Sequence, residues 1–495
     1  MRISNSVGMA LAAIMAVGIG LVPRQSAAQT SITAGGATVV SLGLVGVGRM
    51  PSNLRDKFGE TFGSGSGMWM DPAAWTRQGE TYAGQMLLLP DRGYNVEGTT
   101  DYRPRINKLS ITLKPVAPGV TGSADAMQAT VTARLDDSIL LTDAAGVAMT
   151  GLDPERVRPA RDGFPALPEA ANRHVSLDPE AIVRLADGTM LISDEYGPYI
   201  YRFAADGRML SATAPPAALL PMRKGRVSFA SNNPGRGASK PEPANPESGR
   251  QNNQGLEGMA LTPSGKFLVA VLQSATRQDG GTDAATRRYT RALVYDAADP
   301  ANLNLVGEHV VPLPEFTDDK GRTRVAAQSE LVALSDTLFL LLCRDSGNGW
   351  GQNGTTSAYR KIEMLDLSNA TNIAGSDHDG DKPVAPMGKL EPTIVPATLT
   401  PFIDLNEAAG IGRFGLHNGA PNDRTNLSEK WEAMSLVSAH DDANPQDYFL
   451  FVANDNDFIT QDGFQVGATY KDDSGAEVDT MFLVYRVRLP MLARR

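Results

Sequence analysis

Five times along this chain the same short order recurs: a small or acidic residue in a loop, a first strand, a turn, a second apolar strand, and a polar cluster where that strand ends. The clearest copy opens at Asp178-Pro179-Glu180, continues as Ala181-Ile182-Val183, turns at Asp187-Gly188, and runs Met190-Leu191-Ile192 into Ser193-Asp194-Glu195. Gly255-Leu256-Glu257-Gly258 opens another, with a turn at Ser264-Gly265 and a strand from Phe267 to Leu272. Ser329-Glu330-Leu331 leads to a strand from Leu338 to Leu342 that ends at Arg344-Asp345-Ser346. Lys430-Trp431-Glu432 leads, after a longer turn, to Asn454-Asp455-Asn456-Asp457. A degenerate first copy, Ser66-Gly67-Met68, lacks the acid and ends at Asp91-Arg92-Gly93. Glu180 precedes Asp194 by 14 residues, Glu330 precedes Asp345 by 15, and Glu257 precedes Gln273 by 16. Unrelated hairpins rarely keep such spacing.

Short apolar β-rich runs bounded by Gly, Pro, Asp and Asn, with little helical periodicity, predict an all-β chain. Repeated units of three or four strands predict the blades of a β-propeller, with the innermost strand of each beside a central channel. A blade commonly takes about 40 to 50 residues. These copies lie further apart, so the spacing predicts six or seven blades with loop insertions in a single domain over residues 29–495. A pair of β-sandwiches built from unrelated hairpins is the alternative. The stretch 215–253 carries seven prolines among many Asn, Ser and Gly residues and reads as an inserted loop. Its Arg223, Lys224, Arg226, Arg236, Lys240 and Arg250 suggest either a basic lip or an ordinary solvated loop.

Residues 1–28 read as a cleavable signal peptide, with Arg2, an apolar run from Val7 to Val22, and Ser26-Ala27-Ala28 before the cut. No later run has the length and quality of a membrane span. A periplasmic or extracellular protein is expected. Arg2 and Arg24 leave with the leader, which moves the formal charge from −10 to −12 and argues against nucleic acid as a partner. Cys343 is the only cysteine, so no intramolecular disulfide forms, and its place at the end of an apolar strand predicts a buried small hydrophobe.

Several common catalytic solutions are absent. The chain has no G-x-S-x-G elbow, no H-E-x-x-H, no Walker A loop and no R-H-G motif. Carboxylates recurring at one structural position remain: Glu180, Glu257, Glu330 and Glu432, with Asp91, Asp194, Glu195, Asp345, Asp455 and Asp457 at strand ends. If the blades close into a ring, these acids converge on one mouth of the channel. Carboxylates held close together need a cation or raised pKa values. Hard oxygen ligands favour Ca²⁺ over Mg²⁺. The expected metal ligands are Glu180, Glu257, Glu330, Glu432, Asp345 and Asp455. Glu180, Asp194, Glu195, Arg92 and Arg344 are the expected catalytic groups, the two arginines clamping the oxygens of a small anionic phosphoester or ester substrate. The alternative reading makes the same glutamates loop staples that accept backbone N–H bonds. Asp377-His378-Asp379-Gly380-Asp381 looks like a calcium loop but lacks the acid expected further on, so a solvated turn is favoured.

At Asp178-Pro179-Glu180-Ala181-Ile182, Ile192-Ser193-Asp194-Glu195-Tyr196-Gly197-Pro198-Tyr199-Ile200, Asn253-Gln254-Gly255-Leu256-Glu257-Gly258 and Lys430-Trp431-Glu432 with Asn454-Asp455-Asn456-Asp457-Phe458, the chain resembles the phytase-like family known for the esterase-like activity of phytase. The likeness runs from about residue 40 to 490. It implies a propeller fold, export, and calcium-dependent hydrolysis of phosphoesters or related esters. The chain departs from the family at Gln254, where a lysine is common. A noncatalytic propeller that binds a ligand or protein is the rival reading, and a carboxylesterase using Ser193, Ser274 or Ser346 is a third.

Overall fold

The computed structural model describes residues 29–63 and 65–492, and the leader expected over residues 1–28 lies outside them. Strands dominate, and the α-helices among the described residues are the short turns Ala124–Met127 and Ala408–Gly412. Four antiparallel strands in sequence order make each of four blades, starting at inner strands Gly67–Met70, Pro179–Arg184, Leu256–Leu261 and Ala327–Ala333. We number these blades I to IV. Blade V joins the two ends of the chain: Lys430–Ser438, Asp447–Asp455 and Thr480–Arg488 are followed outward by Ala37–Met50 and Thr30–Ala34. Each inner strand touches the next, and that of blade V touches that of blade I, so the ring closes.

The six or seven blades expected from the spacing are therefore five. Each of the five sequence copies is the inner hairpin of one blade. The surplus length lies in excursions that contribute no blade, chiefly 141–178, 214–255, 367–397 and 405–429. The proline-rich stretch leaves blade II and returns to blade III, adding the 3-10 turn Ala217–Leu219 and the two-residue ladder of Met222–Arg223 with Arg226–Val227.

The core is five apolar seams, one between each pair of neighbouring blades. Successive side chains on a strand point to opposite faces, so a blade buried on both faces needs apolar residues at every position. Strand Leu338–Arg344 does this: Leu338, Leu340 and Leu342 enter the seam with blade V, while Phe339, Leu341 and Cys343 enter the seam with blade III. Cys343 is thus the buried small hydrophobe its neighbours predicted.

Five blades make a narrow ring. A methyl group on Gly67 would lie 2.1 Å from the carbonyl oxygen of Glu180, and one on Gly258 would lie 2.7 Å from the backbone of Glu330. These glycines let neighbouring inner strands touch. Polar bonds cross two other seams: Ser193 Oγ donates to the Glu257 carbonyl at 2.8 Å, and the Met70 N–H donates to Ser435 Oγ at 3.0 Å.

Candidate functional site

The four repeated glutamates share a backbone feature. In blades II to V the ladder between the first and second strands slips by one residue, across 179–182, 256–259, 328–330 and 431–433. Glu180, Glu257 and Glu432 lie inside their slips, and Glu330 is the paired residue that ends its own. A bulge adds one residue to a strand and re-aims the side chain beside it. Blade I has no glutamate there, and its ladder from Gly67 to Met70 runs without a slip. Repeat position and bulge together carry the acids toward the axis.

Carboxylate oxygens of Asp178, Glu180 and Glu195 lie within 4.8 Å of one another, and all three residues are buried. Glu257 from blade III lies beside them. Burial pushes the Glu180 carboxyl well above its ordinary range, and Glu257, Glu195, Asp178 and Glu432 push it further. Burial does the same to Glu257, with Glu195 and Glu432 adding to it against the opposing charge of Arg344. Glu257 Oε1 accepts from Gln273 Nε2. Glu257 Oε2 and Glu195 Oε1 are buried and accept no hydrogen bond. Such oxygens are costly unless a proton or a cation meets them.

Buried cations lie beside these acids. Arg92 Nη1 pairs with Asp178 Oδ2 at 3.0 Å, and the Arg92 N–H reaches Asp178 Oδ1 at 3.1 Å. Asn253, at the end of the proline-rich excursion, accepts from the same guanidinium, whose Nε is buried without an acceptor. Arg344 pairs with Glu432, and its Nε donates to Ser329 Oγ at 3.2 Å. Burial raises the Glu432 carboxyl to about 8 against the pull of Arg344 and Lys430. The carboxylate oxygens of a second acid group, Asp91, Asp455 and Asp457, also lie within 4.8 Å of one another, and Asp455 and Asp457 pair with Lys430.

Three expected site residues have their oxygens engaged elsewhere. Asp194 accepts from the N–H groups of Asp178, Tyr196 and Gly197 at 2.9 to 3.0 Å, tying the loop that presents Asp178 and Glu195. Asp345 accepts from Ser357 Oγ at 2.5 Å and the Ala358 N–H at 2.8 Å, the same loop tie in blade IV. Glu330 Oε1 accepts from the Leu331 N–H at 2.8 Å and the Met259 N–H at 3.4 Å, a peg between blades III and IV. Glu330 thus matches the staple reading of the repeated glutamates, while Asp194 and Asp345 are loop ties that the sequence reading did not foresee. Asp457 was expected among the strand-end acids but not as a ligand, and Asp178 and Lys430 were not expected as site residues. Asp178 stands in the loop just before the strand Pro179–Arg184, at the acidic opening of its repeat copy, which was the available signal.

Two other sequence readings resolve. Arg223 and Arg250 turn inward and donate to backbone carbonyls, Arg250 to those of Tyr196, Phe229 and Gln251, so they brace the excursion and are no part of a basic lip. Asp377–Asp379 is a single 3-10 turn capped by Ser376, with His378 buried.

Residues 61–458 match the family described as Phytase-like, esterase-like activity of phytase. The chain belongs to the phytase-like family. It is also 39% identical over 451 residues to an uncharacterized secreted protein of Arthroderma benhamiae, covering 85% of this chain and 88% of that one. Among solved structures, an N-acetylgalactosamine deacetylase from F. plautii aligns with a TM-score of 0.30 at 8% identity, covering 87% of this chain and 94% of that one. A luciferin-regenerating enzyme aligns with a TM-score of 0.24 at 11% identity, covering 86% and 92%. At those scores neither activity carries over to this phytase-like protein. No helix among the described residues is long and apolar enough to cross a membrane.

Proposed function

We propose that this phytase-like protein is an exported hydrolase that cleaves phosphoesters or related esters in its central channel with the help of a calcium ion. The observation that carries this reading is the meeting of Asp178, Glu180 and Glu195 with Glu257, where the buried oxygens Glu195 Oε1 and Glu257 Oε2 accept no hydrogen bond. The donor set fits a hard divalent cation, since every ligand atom on offer is a carboxylate oxygen with no thiolate or imidazole among them. Asp178, Glu180, Glu195 and Glu257 would hold the ion. When bound, calcium supplies the positive charge that lets these acids ionise together and polarises an ester oxygen.

The protein's own groups do the remaining work. Arg92 has an unspent Nε–H, and together with Arg344 it orients an anionic substrate by charge-assisted hydrogen bonds. Asp178 and Glu432 hold those two guanidiniums in place. Asp194 and Asp345 fix the loops, and Glu330 fixes the spacing of the inner strands. Export accords with the leader-like N-terminus and with the secreted relative.

Phosphate release from phytate and from an aryl phosphate, with an acyl ester in parallel, tests this reading. Calcium should support turnover, a chelator should abolish it, and Glu180→Gln should lower it by about 100-fold or more, as expected when a ligand of a catalytic cation is lost. Folded, calcium-loaded protein that turns over no ester would favour the alternative, a noncatalytic propeller that binds a ligand or a protein partner.

A further inference from the structure

The two acid groups of the channel meet their countercharge differently. Asp178, Glu180 and Glu195 have one guanidinium at their edge, and the adjoining oxygens Glu195 Oε1 and Glu257 Oε2 lack any donor. In the other group, Asp455 and Asp457 pair with the ammonium of Lys430, whose Nζ lies 3.1 Å from Asp455 Oδ2 and 2.6 Å from Asp457 Oδ1, and Asp91 lies within 4.8 Å of both acids. Lys430 is the first residue of the inner strand of blade V and stands directly opposite Asp455 in the ladder, so the backbone itself delivers the ammonium to the acids. The Asp457 N–H also bonds Asp455 Oδ1 at 2.7 Å, closing the turn around it.

We propose that Lys430 is the resident cation of the Asp91, Asp455 and Asp457 group, occupying the place that the other acid group leaves for a divalent ion, so that the channel takes one calcium and not two. This rests on the calcium reading of the first group. A strand-borne ammonium neutralises part of the acid charge permanently: a chelator cannot strip it and a substrate phosphate cannot carry it away.

Removing the ammonium would leave three carboxylates within 4.8 Å of one another, the same donor set as the first group. Lys430→Met keeps most of the stem and removes the charge. Calcium titration by calorimetry, repeated with terbium luminescence, should give one site for the unaltered protein, two for Lys430→Met and one for Lys430→Arg. One site in both the unaltered protein and Lys430→Met would overturn the inference, as would two sites in the unaltered protein. No site in the unaltered protein with one in Lys430→Met would sink the calcium reading of the first group and leave the role of Lys430 standing; none in either would sink both. If Lys430→Met is recovered unfolded, its refolding yield decides: recovery only with calcium supports the inference, and the same yield with a chelator overturns it.

Discussion

Gly67, Gly258 and Glu330 show how much the site depends on residues that never touch its chemistry. A methyl on Gly67 would press into the Glu180 carbonyl, so Gly67→Ala must push apart the inner strands of blades I and II. We expect a loss of about 1–3 kcal/mol, the usual cost of overpacking, read by denaturant unfolding, with weaker calcium binding because Glu180 moves. Glu330→Ala separates peg from ligand. It strands two backbone N–H groups at roughly 1–3 kcal/mol each but takes no oxygen from the Asp178, Glu180 and Glu195 group, so stability should fall while calcium affinity holds. A matched loss of calcium binding in Glu330→Ala would make Glu330 a ligand after all. Glu180→Gln should do the reverse, because it relieves like-charge repulsion in the metal-free protein.

Among the elements, the excursion 367–397 carries a pH dependence outside the channel. It covers the outer strand Asn304–Pro312 of blade III, with Ile373, Val384 and Ile394 packed on Val310. Beneath it Arg291 pairs with Asp279 at 2.8 Å and with Glu308 Oε1 at 2.7 Å, and donates to the His378 carbonyl. Glu308 Oε2 and Asp379 Oδ1 are buried and accept no hydrogen bond. Glu308 faces Arg291 and Tyr295 from its own blade and Asp379 from the excursion, with Asp279 across the guanidinium. Burial raises its carboxyl to about 7, with Asp379 adding to the effect and Arg291 opposing it. The folded pKa is therefore above the unfolded value near 4.3. The contribution is complete below about pH 4, declines as the unfolded chain ionises first, and is lost above about pH 7, at roughly 3 kcal/mol. Hydrogen exchange corrected for intrinsic rates should show 367–397 opening more readily at about pH 8 than at about pH 5.5, and Glu308→Gln should flatten that difference.

For the whole molecule the decisive joint is blade V, where strand Ala37–Met50 pairs with Thr480–Arg488 and fastens the ring. Val39, Leu44, Val45, Val47 and Met50 are buried there. At about 1.5–3 kcal/mol for each such side chain, their sum is comparable to the roughly 5–15 kcal/mol that keeps a typical domain folded. A chain lacking residues 29–50 should lose its cooperative thermal transition and its calcium site together, because an open ring no longer holds blades II, III and V at fixed distances. A cooperative transition within a few degrees of the full chain would show that the ring closes without this strand.

The all-β class, the inner hairpin of every blade and the repeated glutamate positions were all legible in the amino-acid order, since period-2 burial and turn residues are local properties. Leu338 to Cys343 reads as a strand buried on both faces wherever it is placed. The blade count was not legible, because a long gap between copies looks the same whether it holds a worn blade or an excursion such as 367–397. Nor was the division of labour among the acids. Glu180, Glu257, Glu330 and Glu432 occupy one repeat position, yet Glu330 meets backbone N–H groups, Glu432 meets Arg344, and only Glu180 and Glu257 adjoin Glu195 without a neutralising partner of that kind. Which acid meets which donor depends on how five blades close and how far each bulge turns its side chain, and those distances exist only once residues hundreds of positions apart are brought around one axis.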